Sequence, residues 1–285
     1  MLSLTLGLVA ACLWAVHDLL ARKLSQGASI IAIVLVVLAT GSVVLAIPAL
    51  ATGGWAAMTG MAWAYAVATG LAFALAIGGL YRAFSLAPVR LVAPVVGAYP
   101  MLSLAIAMVQ GRSVSATEWL AVLIIVGGIA IVAATARSGA DEGPPPPALR
   151  AFSWAGLGAV GFAATFALGQ AATRLGAEMP VMLVARLAAL AVYVALAVAV
   201  RAPVRATAPL LPVLAMMGAF DAAALGLVTA AGALPHPEYA AVAAALFGVL
   251  TILLAWRVLD ERVAPVQWAG IATVFAGIGM LSLLG

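Results

Sequence analysis

Charge is what this sequence has least of. Only 8% of its 285 residues are Asp, Glu, Lys or Arg, against 67% that are hydrophobic, and the mean hydropathy is +1.24. A domain that folds in water carries about a quarter of its residues charged, so an ordinary soluble enzyme is excluded. Cysteine is nearly missing as well. Cys12 stands alone, which rules out an intramolecular disulfide, and a single thiol without a neighbouring base reads as a small apolar side chain rather than a nucleophile. The two histidines, His17 and His236, are far apart in sequence. The chain holds no metal-spaced His/Cys cluster, Gly-rich phosphate loop or Ser/His/Asp pattern, so no metal, cofactor or catalytic residue is expected. The apolar start also lacks a basic region ahead of it and runs straight into Arg22 and Lys23, which predicts a retained first span rather than a cleaved signal.

What the sequence has instead is long uncharged runs. No charged residue occurs between Lys23 and Arg82, from Leu91 to Gly111, Trp119 to Ala136, Ala151 to Thr173, Tyr239 to Trp256 or Val263 to Gly285. A bilayer core about 30 Å thick takes roughly 20 apolar residues per helical span. Runs of that length, without the alternation of a barrel strand, predict helices, because lipid offers backbone groups no partner outside their own helix. The pattern predicts ten spans, at residues 3–21, 29–49, 61–82, 90–110, 118–136, 152–173, 180–200, 208–232, 239–258 and 265–284. The chain reads as an all-α integral membrane protein.

One segment breaks this pattern. Ser138–Arg150, SGADEGPPPPALR, joins polar residues and glycine to four consecutive prolines and suits an exposed connector. It divides the chain into residues 1–137, a connector at 138–150, and residues 151–285. A shift of 149 positions lays Thr117, Glu118 and Trp119 onto Val266, Gln267 and Trp268, Gly128 onto Gly277, and Pro88 onto Pro237. Such ordered matches predict two copies of a five-helix unit. Five is odd, so the second copy must enter the membrane upside down. An inverted repeat of this kind encloses a cavity near the bilayer midplane and opens it alternately to each side as one half rocks against the other.

Two stretches carry a family resemblance: GLYRAFSLAPVRLVAP at Gly79–Pro94, and LDERVAPVQWAGIATVFAGIGML at Leu259–Leu281. Set in two five-helix units, they resemble the EamA-like branch of the drug/metabolite transporter superfamily, over essentially the whole chain. Asp260-Glu261 and the helix carrying Trp268 and Gly270 are the most recognisable piece. The first copy has Gly111-Arg112 where the family typically has Gly-Glu, and no arginine in span two matches Arg186 of span seven. The resemblance implies a secondary transporter for small polar or amphipathic metabolites, often an amino acid exporter, with a cavity lined mainly by the first, third and fourth helices of each repeat. The partners it implies are a small-molecule substrate and the lipid bilayer, not nucleic acid, with the chain acting as a monomer or weak homodimer. A polytopic enzyme acting on a lipid-embedded substrate, and a passive channel or scaffold, are the alternative readings.

Orientation follows from the basic residues. The loops after spans one, three, five, seven and nine carry ten of them, from Arg22 and Lys23 to Arg257 and Arg262; the opposite loops carry Arg112 and Arg174. The positive-inside rule predicts a cytoplasmic connector in an inner (cytoplasmic) membrane, with both termini outside and the basic side chains at headgroup level.

Ionisable groups inside a span cost about 2.5–3.5 kcal/mol each on insertion scales, so each needs a partner, a wet cavity or a function. Asp221, in the middle of span eight, is the sharpest case: it could bind a substrate amine or a coupling proton, or serve as a paired structural carboxylate. His17 and Asp18 share a helix face with Trp14 and are further proton-coupling candidates, although Asp18 also stands four residues before Arg22, the spacing of a helical ion pair. Tyr99, Ser103 and Gln110 fall within about 40° of one another on span four and form a polar stripe that Pro100 could bend. Phe162 and Thr165 share a face of span six with Gly169 and Thr173. With Trp14, His17, Asp221, Tyr99 and Ser103, the candidate substrate-binding residues are Phe162, Thr165, Tyr81 and Phe247, the last with Thr251 one turn on. Tyr81 also fits an interface anchor. The other tryptophans lie near span ends, where an aromatic belt is expected. Arg186 is expected to snorkel to an interface or hold a neighbouring helix, and His236 and Glu238 to be solvated, or a gate, before span nine.

Overall fold

The computed structural model describes residues 2–109, 111, 113–135, 147–231, 243–244 and 246–284, and every regular element among the described residues is helical, with no strand. In chain order the helices are α1 (Leu2–Leu24), α2 (Ile30–Ala51), α3 (Gly60–Leu86), α4 (Val89–Gly97), α5 (Tyr99–Val109), α6 (Ala116–Ala134), α7 (Ala148–Thr173), α8 (Glu178–Ala199), α9 (Leu211–Ala231), α10 (Phe247–Val258) and α11 (Pro265–Leu284). Short 3-10 turns at Trp55–Ala57 and Val204–Leu210 precede α3 and α9. Among the described residues, six segments are long and apolar enough to cross a bilayer: Leu4–Leu24, Ile30–Ala51, Gly60–Leu86, Ala148–Thr173, Glu178–Ala199 and Val204–Val228. Large apolar side chains such as Val43, Ile47, Leu71, Leu123 and Val198 face outward, as they do where the surrounding medium is lipid.

The fourth expected span is two helices rather than one. Pro100 has no N–H, and its ring would clash with the carbonyl four residues back. Helix α4 therefore stops at Gly97, and α5 starts afresh at Tyr99, where a proline in the first turn is tolerated. The break holds the Tyr99 ring at the centre of the bundle.

Small residues bring the helices together. A Cβ on Gly79 of α3 would lie 2.6 Å from the backbone nitrogen of Gly158 on α7, and one on Gly41 of α2 would lie 2.8 Å from the carbonyl oxygen of Gly218 on α9. Only glycine permits such backbone approach. Helix α3 lies along α7, α6 along α11, α2 against α8 and α9, α8 against α3, and α1 against α9 and α10, while α4 packs on α7 and α10. Gly79 meeting Gly158 and Ala76 meeting Gly161 run in opposite chain directions, so the end of α3 shares a side with the start of α7.

The last helix of each half is capped in the same way. Glu118 accepts from Ser115 N–H at 2.8 Å while the Ser115 hydroxyl accepts from Glu118 N–H, a capping box on α6. Gln267 accepts from Ala264 N–H at 3.1 Å on α11 and donates to the Thr135 carbonyl at 2.7 Å. A Cβ on Gly128 would meet Val274, and one on Gly277 would meet Ile125, each at 2.7 Å.

Two expectations about basic residues are overturned. Arg22 pairs with Glu261 at 3.0 Å and donates to the Phe84 carbonyl; its partner is not Asp18, because the α1 end is tucked against the loop after α10. Arg90, at the start of α4, is 4% exposed and so packs within the protein instead of facing the lipid headgroups.

Candidate functional site

A cavity of about 320 Å³ opens in the middle of the bundle. Its wall comes from both halves of the chain. Helix α1 contributes Trp14, His17 and Asp18; α3 contributes Thr69, Phe73, Ile77 and Leu80; the α4–α5 break brings Val96 and Tyr99. From the second half come Phe162, Thr165, Phe166, Gly169, Gln170 and Thr173 on α7, Arg186 and Glu178 on α8, Asp221, Leu225 and Val228 on α9, and Phe247 on α10. Each helix presents one face, as residues three or four apart must: 69, 73, 77 and 80 on α3 form one stripe, and 162, 165, 166, 169 and 173 on α7 another.

Two polar networks sit in this otherwise apolar wall. In the first, Arg186 is salt-bridged to Asp221 Oδ2, while Trp14 donates its indole N–H to Oδ1 at 3.1 Å. The guanidinium also stands 5.8 Å from the Phe73 ring centroid and reaches the Val37 carbonyl at 3.5 Å. Arg186 is therefore not snorkelling. It is 3% exposed and holds α8 to α9 and α2, since a charge this deep is tolerated only with a paired counter-charge. In the second network, His17 Nδ1 lies 2.9 Å from Asp18 Oδ1 and His17 Nε2 lies 3.1 Å from the Tyr81 hydroxyl. This geometry suits an imidazole that donates from Nδ1 to the carboxylate and accepts the phenol O–H at Nε2.

Aromatic rings fill the remaining wall. Tyr99 stacks on Phe166 with centroids 5.0 Å apart and lies 6.3 Å from Phe162, which in turn meets Phe73 edge-on at 6.4 Å. Trp14 meets Phe247 edge-on at 6.0 Å.

Of the residues singled out in the sequence, Trp14, His17, Asp18, Tyr99, Phe162, Thr165, Asp221 and Phe247 stand on the cavity wall. Tyr81 does not: it is fully buried behind His17, neither lining the cavity nor anchoring at an interface. Thr251 donates to the Phe247 carbonyl of its own helix. The Ser103 side chain, Gln110, His236, Glu238 and most of the connector lie outside the described residues. Span seven, not among the helices expected to form most of the wall, contributes Arg186. Phe73 and Phe166 were also missed. Phe166 carries a legible signal, four residues from Phe162 on one face. Phe73 carries a weaker one, with only Thr69 one turn before it to mark its face on an otherwise apolar stretch of α3.

In sequence, residues 1–134 match the model of the EamA-like transporter family. A search among curated proteins found no match. Among solved structures, the chain is similar to a protein crystal structure of 20% identity with a TM-score of 0.66, covering 99% of this chain and 96% of the other; at that identity the likeness speaks to the fold alone. The site sits in a multi-pass helical membrane protein whose residues 1–134, just under half of the chain, are similar to the EamA-like transporter family.

Proposed function

We propose that this protein is a secondary transporter that moves a small metabolite, an amino acid or related compound, out across the cytoplasmic membrane by alternating access. The observation that carries this reading is the cavity itself: it lies among helices of both halves and its wall holds the buried ionisable residues His17, Asp18 and Arg186, which are costly in a membrane and tend to mark a transport path.

The two halves act as inverted repeats in this reading, 1–137 and 151–285. The helix packing supports it, because pairs exchange with their counterparts: α3 with α7 answers α1 with α9, α8 with α3 answers α2 with α9, and α6 pairs with α11 across the middle. The matched caps of Glu118 and Gln267, and the reciprocal seats of Gly128 and Gly277, support it independently. With the connector in the cytoplasm, the cavity rim at Gln170 and Glu178, both exposed, faces outward. The opposite end is closed by Arg22, Glu261 and the start of α4, where Glu261 Oε2 accepts from Val89 N–H at 2.8 Å. Trp14, Tyr99, Phe162, Thr165 and Phe247 form the binding surface. Asp221, His17 and Asp18 supply polar recognition and proton coupling, with Tyr81 orienting His17. Of the three, the Asp18–His17 pair suits coupling better, because the Asp221 charge is balanced by Arg186.

The test is counterflow of labelled metabolites into sealed liposomes holding the purified chain. Saturable exchange is expected for part of an amino acid and amine panel, weakened by Tyr99→Ala and Trp14→Ala more than thermal stability is. His17→Gln should lose gradient-driven flux and keep exchange. No exchange of any panel member by the folded wild-type protein would reject the reading.

A further inference from the structure

Resting on the transport reading, we propose that the cavity recognises its cargo by a cationic amine set against Asp18, and makes no use of a cargo carboxylate. The charges on the wall do not balance. Asp18, Asp221 and Glu178 face one guanidinium, that of Arg186, so the wall stays negative even with His17 protonated. That guanidinium is also engaged already, by Asp221, the Val37 carbonyl and the Phe73 ring, with its side chain 2% exposed. Its Nε has no hydrogen-bond partner, yet it is closed off from the cavity as well. A carboxylate on the cargo would meet like charge and no unpaired guanidinium or ammonium among the described wall residues.

Asp18 differs from Asp221. Both oxygens of Asp221 accept, from Trp14 and Arg186. Asp18, 4% exposed, accepts from His17 through Oδ1 alone among the described residues, which leaves Oδ2 without a donor. A carboxylate oxygen that faces an apolar cavity calls for one, and an ammonium supplies it with charge. The aromatic residues of the wall, Trp14, Tyr99 and Phe162 among them, add π systems that attract a cation and apolar surface for its body. A volume of about 320 Å³ is at the small end for ligand pockets, with room for one aryl ring and a short chain.

Three probes with the same phenyl ring separate the possibilities: 2-phenylethylamine (cation), phenylalanine (zwitterion) and 3-phenylpropionate (anion), titrated calorimetrically into the full chain in detergent. The amine should bind at least about tenfold tighter than the zwitterion, as one charge-assisted hydrogen bond without an opposing repulsion allows, and the anion should not bind. Asp18→Asn should lose at least about tenfold for the amine while Asp18→Glu retains it, with thermal melting reporting the fold of each. If Asp18→Asn fails to fold, the order of the three probes on wild-type protein decides. Phenylalanine or 3-phenylpropionate binding as tightly as the amine, no binding by any of the three, or unchanged amine affinity in folded Asp18→Asn would overturn the proposal. Should the zwitterion or anion win and also exchange across vesicles, transport stands and amine recognition falls; should the amine bind yet nothing exchange, recognition stands and transport falls.

Discussion

Asp221 and Arg186 show how one residue can be legible in sequence and its partner not. A carboxylate in mid-span is conspicuous because its short side chain cannot reach the headgroups. An arginine six residues into a span has a long flexible stem that could reach them, so its direction is a tertiary matter. The pair makes a clear prediction. Asp221→Asn strands a buried guanidinium and should cost about 3–5 kcal/mol, whereas Arg186→Leu with Asp221→Leu should cost far less, since a buried pair replaced by apolar side chains is often near neutral. Thermal unfolding of both variants in detergent checks this. Comparable losses in the two would show that the pair is not coupled. Asp221→Asn is therefore a poor probe of transport chemistry, and His17→Gln a better one.

At the scale of elements, the spans follow from hydrophobic run length, and the connector from its prolines, because both are local properties. The α4–α5 break was visible as Pro100 but not as a full interruption, since a proline can also be absorbed as a bend. Helix contacts depend on which glycine faces a neighbour, and a sequence with 28 glycines does not say which. Gly79 and Gly158 are the ones that bring α3 and α7 together. Gly79→Leu should therefore destabilise by about 1–3 kcal/mol or more through overpacking, while Gly226→Leu, where a Cβ meets open space, should change little. Comparing their melting temperatures in one detergent tests the assignment; equal effects would contradict it.

For the whole molecule, the Arg22–Glu261 pair joins the end of α1 to the loop between α10 and α11, and Glu261 also receives the first N–H of α4. Under alternating access this cluster must part for the cavity to open on the connector side. Glu261→Ala should raise the reactivity of an engineered Leu80→Cys, on the cavity wall near that side, toward a water-soluble thiol reagent, by about tenfold if one partly buried ion pair of about 1.4 kcal/mol holds the closed state. The measurement belongs in a Cys12→Ala background, and unchanged labelling would remove Glu261 from the gate.

The sequence alone determined the medium, the helical secondary structure and the conspicuous ionisable residues Asp221, His17 and Asp18, because scarcity of charge and run length act locally along the chain. It also marked Glu118 and Gln267, at one offset, and each accepts an N–H at the start of its helix, α6 and α11. Only the tertiary structure decided that Asp221 is held by Arg186, that Arg22 turns to Glu261 rather than Asp18, and that Tyr81 stands behind His17 instead of on the wall. Those outcomes depend on the rotation of each helix about its own axis. In a chain that is apolar on nearly every face, hydrophobic periodicity cannot fix that rotation; close packing of small residues and the pairing of buried charges do.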